Sequence, residues 1–358
     1  MPDASASPVP QFCKAAVCKN PGKSFTLELV EDYPVPTPGP GQLLLKLNCT
    51  GICHSDVGIM RCDIGLNMIC NCAGHEGAGV VAAVGEGVDN WKVGDRAGIK
   101  PLWDVCHECM HCRGGDEGLC PKLVPTGGVV DGSYAEYVIS PARYTTRIPD
   151  SVPDKYAAPA MCSGTTMYTA IKRSGIRSGQ WLVIPGGGGG VGHWGIPFAK
   201  AQGMRVVVVD TGADKRELCT RLGAEAFVDF KEVENTADEV VKVTGGGAHV
   251  VIVVGGTATA YKTAPDFLRP GGTQICIGLP TAGTAIAGAD PVAMIFKKLT
   301  IKGSLTGNQV DADEALDFVA RGLVTPQVTV RPFREFLQAF EDFRAAKVAG
   351  RLVIDFNA

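Results

Sequence analysis

Four cysteines fall in one short stretch as Cys106-x-x-Cys109-x-x-Cys112-x7-Cys120. Thiolates are soft ligands, and four at these gaps suit a closed tetrahedral zinc with no open coordination position. The stretch is rich in Gly and charge and too poor in apolar residues to fold around a core, so a structural metal is expected there. His107 and His111 lie inside it, but four cysteines already fill the site, and both read as solvated polar residues. Other reactive types are spread out, in Gly51-Ile-Cys53-His54-Ser55-Asp56, in Ala73-Gly-His75-Glu76-Gly-Ala-Gly79 and in Met161-Cys162-Ser-Gly-Thr-Thr166. Taken singly, a buried Cys or His of this kind is usually packing. Gly186-Gly-Gly-Gly-Gly190-Val-Gly192 is different, because it follows an apolar run and precedes a helix-length stretch. Gly187, Gly189 and Gly192 satisfy G-x-G-x-x-G, the turn that brings backbone N–H groups to a dinucleotide pyrophosphate. Asp210 closes the next apolar run, 18 residues after Gly192. A carboxylate there binds ribose hydroxyls and repels a 2'-phosphate, which favours NAD over NADP.

The elements that must position these residues change in texture along the chain. Up to about residue 148, short alternating apolar segments are broken by Gly and Pro, predicting a mainly β domain with much loop. From about residue 162, apolar runs at 181–184, 205–210, 226–230, 249–254, 273–277 and 299–303 alternate with helix-length stretches. Six such units predict a doubly wound parallel sheet. Helices are expected over 311–321 and 333–346 and a last strand over 351–356, returning to the first domain. The division expected is 1–160 (with the cysteine lobe at about 104–122), 161–305 and 306–358. The helix after the glycine turn, 191–201, contains Gly195 and Pro197. An interior Pro costs about 3 kcal/mol, predicting a kinked helix and a weakened pyrophosphate site at its N-terminus.

The chain has 358 residues, 45% hydrophobic and 20% charged, enough for two domains. Lys plus Arg is 34 against 37 for Asp plus Glu, a net charge of -3 without a basic block, so nucleic acid and anionic membrane are not expected partners. Apolar runs of strand length fall short of the roughly 20 residues that span a bilayer. The first 22 residues lack the pattern of a secretory leader, which predicts a cytoplasmic protein whose fourteen Cys stay thiols.

Together, Gly74-His75-Glu76-x-x-Gly79, with Gly85 and Val88 after it, resembles the motif of zinc-containing alcohol dehydrogenases of the medium-chain dehydrogenase/reductase superfamily, nearest the yeast and fungal type. Trp91-Lys-Val-Gly-Asp95, the cysteine lobe, the glycine turn, residues 304–308 and 349–355 extend the resemblance over nearly the whole chain. It implies a GroES-like catalytic domain joined to a Rossmann domain, and two zinc ions per chain. Cys53, His75 and Cys162 would hold a catalytic zinc, Asp56 would orient His75, and Glu76 would lie behind the metal as an occasional ligand or charge modulator, the plainer alternative for Glu76 being a structural ion pair. Ser55 would begin a proton relay. His54, Thr166, Gly187, Gly189, Gly190, Val191, Gly192, Asp210, Lys215 and Arg351 would hold the cofactor. The implied reaction is reversible hydride transfer between NAD and an alcohol or aldehyde through a zinc-bound alkoxide. A homo-oligomer, with a tetramer favoured, is implied as well.

Three departures qualify that expectation. Where yeast-type enzymes place a relay His five residues after the first ligand, this chain has Gly58. The two pocket Trp residues are missing: the first region reads Ile59-Met-Arg-Cys-Asp-Ile-Gly65, while Pro101 occupies the second position and Trp103 is displaced by two. A wider pocket follows, suited to a substrate bulkier than ethanol. Cys70 and Cys72 are thiols outside the family pattern and read as packing. The competing function is a zinc Lewis-acid enzyme catalysing a non-redox cyclisation, addition or isomerisation on the same scaffold, and a non-catalytic zinc or nucleotide binder is a more distant one.

Overall fold

The six apolar runs of the second half form one parallel sheet, in the order Ala226–Asp229, Arg205–Asp210, Trp181–Pro185, Ala248–Val253, Leu268–Cys276, Thr300–Gly303. This is the arrangement in the computed structural model, which describes residues 8–358; the leader reading of the N-terminus falls partly on residues 1–7, outside the described residues. Leu182, Val183 and Ile184 pair with 206–208 on one side, and Leu182 and Val183 pair with Val250 and Val251 on the other. All of these are buried, as strands with both faces covered require. Strand order reverses on either side of Trp181–Pro185, so its carboxyl end opens at the crevice where doubly wound sheets take ligands. Leu268–Cys276 starts earlier than expected, because a register shift absorbs residues 269–272 between the pairs Ala248–Leu268 and Val250–Thr273.

The glycine turn sits at that crevice. Gly186 has φ +85°, and a Cβ on Gly192 would lie 2.3 Å from the Gly186 carbonyl oxygen, so the helix can start against the strand only without a side chain. That helix, Gly192–Ala201, continues through Pro197, so the proline does not end it. Residues 192–199 are all buried, and Gly195 lets the helix close on Ile184 and Met167. Packing on both sides outweighs the single lost hydrogen bond.

The other large sheet has the order Val328–Pro332, Arg351–Asp355, Gln42–Gly51, Gly77–Val84, Arg96–Ile99, Thr146–Arg147, with Tyr137–Pro141 also pairing with Gln42–Gly51. The chain from Val328 onward thus returns to the N-terminal half. The helix expected at 311–321 spans Gln309–Ala320, since Asn308 accepts the Asp311 N–H (2.8 Å) and Asp311 accepts the Asn308 N–H (3.1 Å), a reciprocal cap. That expected over 333–346 divides into a 3₁₀ turn, Phe333–Glu335, and a helix, Phe336–Arg344. Between the sheets run the short helix Asp154–Pro159 and a π-helical turn, Ala160–Gly164, which carries Cys162. Such turns recur at functional sites.

Candidate active site

Two groups of ligand-type side chains converge among the described residues, each with its ligand atoms within 4.8 Å of one another: Cys106, Cys109, Cys112 and Cys120, and separately Cys53, His75, Glu76 and Cys162. The first is local. Cys109 caps the one-turn helix Met110–Arg113, and Cys120 follows the 3₁₀ turn Glu117–Leu119. Backbone N–H groups point at the sulfurs: Cys109 to Cys106 Sγ (3.3 Å), Cys106 to Cys120 Sγ (3.4 Å) and Cys112 to Cys109 Sγ (3.5 Å). Backbone donors at Glu108 and Cys109 pull Cys106 down to about 6. Burial and the neighbouring sulfurs push Cys112 up to about 12. All four sulfurs can be thiolates together only with a cation among them, and four sulfur donors fit zinc. His107 is exposed, its Nε2 3.7 Å from Asp104, and His111 is partly buried.

The second group draws on three distant segments. Cys53 leaves the strand Gln42–Gly51 and caps the helix His54–Arg61, His75 precedes the strand Gly77–Val84, and Cys162 comes from the π turn. All four members are buried. Asp56, with no exposed surface, sets its Oδ1 2.6 Å from His75 Nδ1, short but off hydrogen-bond alignment. Its Oδ2 accepts the Cys53 N–H at 3.0 Å. With Nδ1 facing Asp56, Nε2 is the nitrogen left to face the sulfurs. Ser55 Oγ lies 3.1 Å from Cys53 Sγ and 3.3 Å from His75 Nε2.

The charges of this cluster are unbalanced. Hydrogen bonding from Cys162, with Arg351 and His75 nearby, holds Cys53 well below the thiol range, and sharing that proton pushes Cys162 well above it. Burial lowers His75, but Asp56 and Cys53 outweigh it and raise the imidazole well above its usual value. Two sulfurs and an imidazole nitrogen, with a carboxylate at hand, are a donor set that fits a divalent zinc with room for an exchangeable ligand.

Glu76 and Arg351 form a two-point buried ion pair, one contact being 3.0 Å from Nε to Oε2. Burial raises Glu76 to about 7 even beside Arg351. A Cβ on Gly51 would lie 1.9 Å from Glu76 Oε2, and one on Gly190 would lie 2.8 Å from Arg351 Nη1. Both glycines make room for the pair. Arg351 therefore bridges the Cys53/His75/Cys162 cluster and the glycine turn, so the two residues expected in separate roles touch each other. Nearby, the Gly350 N–H donates to the Gly188 carbonyl (3.2 Å) and the His193 ring Nδ1 meets the Gly189 carbonyl (3.0 Å).

Asp210 accepts the N–H of Gly188 and of Thr211, each at 2.9 Å, and pairs with Lys215 at 2.9 Å. Gly187 lies against Val208, where a Cβ would come within 2.7 Å, while Gly189 and Val191 complete the turn. Thr166 is half-buried one turn beyond Cys162. His54 is exposed, its ring 4.3 Å from that of Phe343.

Of the departures, Gly58 faces inward, and a Cβ there would come within 2.7 Å of Ile64. The displaced Trp103 donates its indole N–H to the Ile139 carbonyl (2.8 Å), which ties it to the strand Tyr137–Pro141. Cys70 and Cys72 stand outside both clusters; Cys72 is wholly buried, and burial pushes Cys70 up to about 12. Sequence reasoning missed the segment 131–134, which grips the His75 loop. Asp131 accepts the N–H of Asn71 and Cys72 (both 2.9 Å), and Ser133 Oγ accepts the Glu76 N–H (3.1 Å). The only local signal was an acid and two hydroxyls beside Gly132.

Residues 39–150 match the family described as the alcohol dehydrogenase GroES-like domain, and residues 190–321 match the zinc-binding dehydrogenase family. An alcohol dehydrogenase of Schizosaccharomyces pombe is 42% identical over 328 residues, 91% of this chain and 93% of that protein. A solved NAD-dependent alcohol dehydrogenase superposes with TM-score 0.86 at 28% identity, covering 96% of this chain and 99% of the other. Acetophenone reductase from Geotrichum candidum, solved with NAD, gives TM-score 0.83 at 26% identity over 98% of each. This chain belongs to the zinc-containing alcohol dehydrogenases of the medium-chain dehydrogenase/reductase superfamily.

Proposed function

We propose that this chain oxidises alcohols bulkier than ethanol, and reduces the corresponding carbonyl compounds, by hydride exchange with NAD at a zinc held by Cys53, His75 and Cys162. The observation that carries the reading is the buried convergence of two sulfurs and an imidazole beside Ser55, next to a glycine turn built for a dinucleotide. Zinc in such a site acts as a Lewis acid that makes an alcohol hydroxyl easier to deprotonate, and nicotinamide accepts the hydride. The balance is alcohol plus NAD⁺ giving carbonyl, NADH and one proton.

The chain's own residues do the rest. Asp56 fixes the His75 ring and keeps Nε2 toward the reacting centre. Ser55 Oγ accepts the substrate proton. No side chain at Gly58 carries it onward, so it leaves through water. Asp210 selects a free ribose hydroxyl and so NAD, with Lys215 steadying its carboxylate. His54, Thr166, Gly190 and Val191 line the cofactor's path, and Arg351 offers charge to the pyrophosphate while tied to Glu76. Cys106, Cys109, Cys112 and Cys120 hold a second, structural zinc. The GroES-like part, 1–160, and the return at 306–358 form the catalytic domain, with 161–305 the Rossmann domain.

A wider pocket is supported by Pro101 and by Trp103 being engaged with Ile139, and the acetophenone reductase likeness supports a bulky carbonyl substrate. Self-association is supported by the sheet-edge strand Thr300–Gly303 and by Ile295 and Phe296, 72% and 82% exposed on the helix Pro291–Lys297, and a tetramer is the assembly favoured by the family resemblance. No helix among the described residues is long and apolar enough to cross a membrane. A cytoplasmic setting suits fourteen unpaired thiols. The test is a panel of primary, secondary and aromatic alcohols with NAD, followed at 340 nm. Aromatic or branched alcohols turning over faster than ethanol is the expected result. Product formed without nicotinamide turnover would favour the non-redox zinc reading that the missing relay at Gly58 permits.

A further inference from the structure

Asp56 has two oxygens and three neighbours to serve. Its Oδ1 lies 2.6 Å from His75 Nδ1, and its Oδ2 takes both the Cys53 N–H and the Tyr134 O–H, each at 3.0 Å. Carboxylate and phenol are both fully buried. An unmet lone pair of a buried charge is costly, so the direction of this carboxylate is set by the donors it finds.

Tyr134 has little freedom of its own. Its ring stands edge-on to Phe336 at 4.8 Å, and its N–H donates to the Ala73 carbonyl at 3.0 Å. A Cβ on Gly74, whose φ is +91°, would lie 2.4 Å from Tyr134 Cδ1, and one on Gly132 would lie 1.8 Å from the Gly74 oxygen. The two segments thus meet backbone to backbone, and the phenol is delivered to Asp56 as part of a rigid clamp. Burial beside Asp56 pushes the phenol's ionisation well above its ordinary value, so the hydroxyl remains a donor.

We propose that Tyr134 is a positioning residue of the catalytic centre: its hydroxyl locks Asp56 in the one orientation that serves His75 and Cys53 together. The inference rests on the reading of Cys53, His75 and Cys162 as zinc ligands. It assigns the hydroxyl an effect on how firmly the catalytic metal is held, separate from any effect on the fold.

The test is transfer of zinc from the two-zinc protein to a chromophoric chelator, comparing the parent with Tyr134→Phe, which keeps the ring. Cys162→Ala identifies the catalytic-site phase by losing it. In Tyr134→Phe that phase should be about tenfold faster, with the cysteine-lobe phase unchanged, kcat reduced and KM for NAD unchanged. In an Asp56→Ala background the same substitution should have no further effect, because its partner is gone. Parental release from a folded Tyr134→Phe, or an effect of equal size without Asp56, would overturn this inference alone. So would a variant that unfolds and loses both metals together, since the hydroxyl would then serve the fold. A parent that shows only the lobe phase would overturn the zinc reading and this inference with it.

Discussion

The two ligand clusters are built in opposite ways. Cys106, Cys109, Cys112 and Cys120 fall within 15 residues, three of them half-exposed, around a core of only Leu102, Val105, Cys120 and Tyr144. Their sulfurs are met by backbone N–H groups of the same loop. Cys53, His75, Glu76 and Cys162 span 110 positions, are all buried, and are held by side chains from elsewhere: Asp56, Arg351, Ser133 and Tyr134. One cluster makes its loop cohere, whereas the fold makes the other cluster. The difference predicts that damage to the first is read in stability and damage to the second in chemistry.

The largest expected effect follows from Cys162→Ala, which removes one sulfur from the buried cluster. Metal analysis should fall from two zinc ions to one, and kcat should drop at least about 10³-fold, while the melting temperature changes little. Activity within tenfold of the parent would break the comparison. Asp56→Asn removes the charge beside His75 but keeps its shape; a loss of about 10- to 100-fold in kcat or in catalytic-zinc affinity is expected, with the lobe zinc retained.

Cys112→Ser should act the other way round. One zinc is lost, the melting temperature falls by about 10 °C, and kcat per folded chain stays within about threefold. The lobe is tied to the body through Glu117, which accepts from Tyr144 and from the Gln309 N–H (3.3 Å), and through Asn308 to the Gly115 carbonyl (2.9 Å). Loosening it need not reach the active site.

The smallest effect concerns Lys100, buried beneath the lobe. Its ammonium lies over the Tyr144 ring at 3.7 Å and donates to the Tyr144 carbonyl and to Thr146 Oγ1 (3.3 Å). Burial pulls its pKa down to about 7, with Glu117, Asp313 and Asp104 only partly opposing. The unfolded side chain keeps its proton to about pH 10.4, so between those values the unfolded chain binds more protons. This group therefore adds stability as pH rises through that window, by up to about 1.4 kcal/mol per unit, and none of that gain is present below pH 7. Melting curves from pH 6 to 9 should show a shallower rise in Lys100→Met than in the parent. Parallel curves would remove Lys100 from the account of the lobe's support.

What could be read in advance follows the same contrast. The convergence of the four lobe cysteines was legible because they are neighbours in sequence, and the parallel sheet because buried strands are continuous apolar runs. The dispersed cluster was recognisable only through family resemblance, since nothing local says that Cys53, His75 and Cys162 meet. The Tyr134–Asp56 bond spans 78 positions and leaves no trace in spacing. Glu76 and Arg351 were each noticed, but not as partners 275 residues apart. Pro197 weighs against a helix by propensity alone, yet the helix continues past it with residues 192–199 all buried, a tertiary contribution that local sequence does not display.

The most direct test of the central claim follows a label. Zinc-loaded protein is given NAD and an aromatic primary alcohol with both carbinol hydrogens replaced by deuterium, and the reduced nicotinamide is weighed by mass spectrometry. Direct hydride transfer predicts one deuterium in each NADH formed, together with the deuterated aldehyde, and no product from Cys162→Ala. NADH without the label, or label washed into water with no NADH formed, would contradict it.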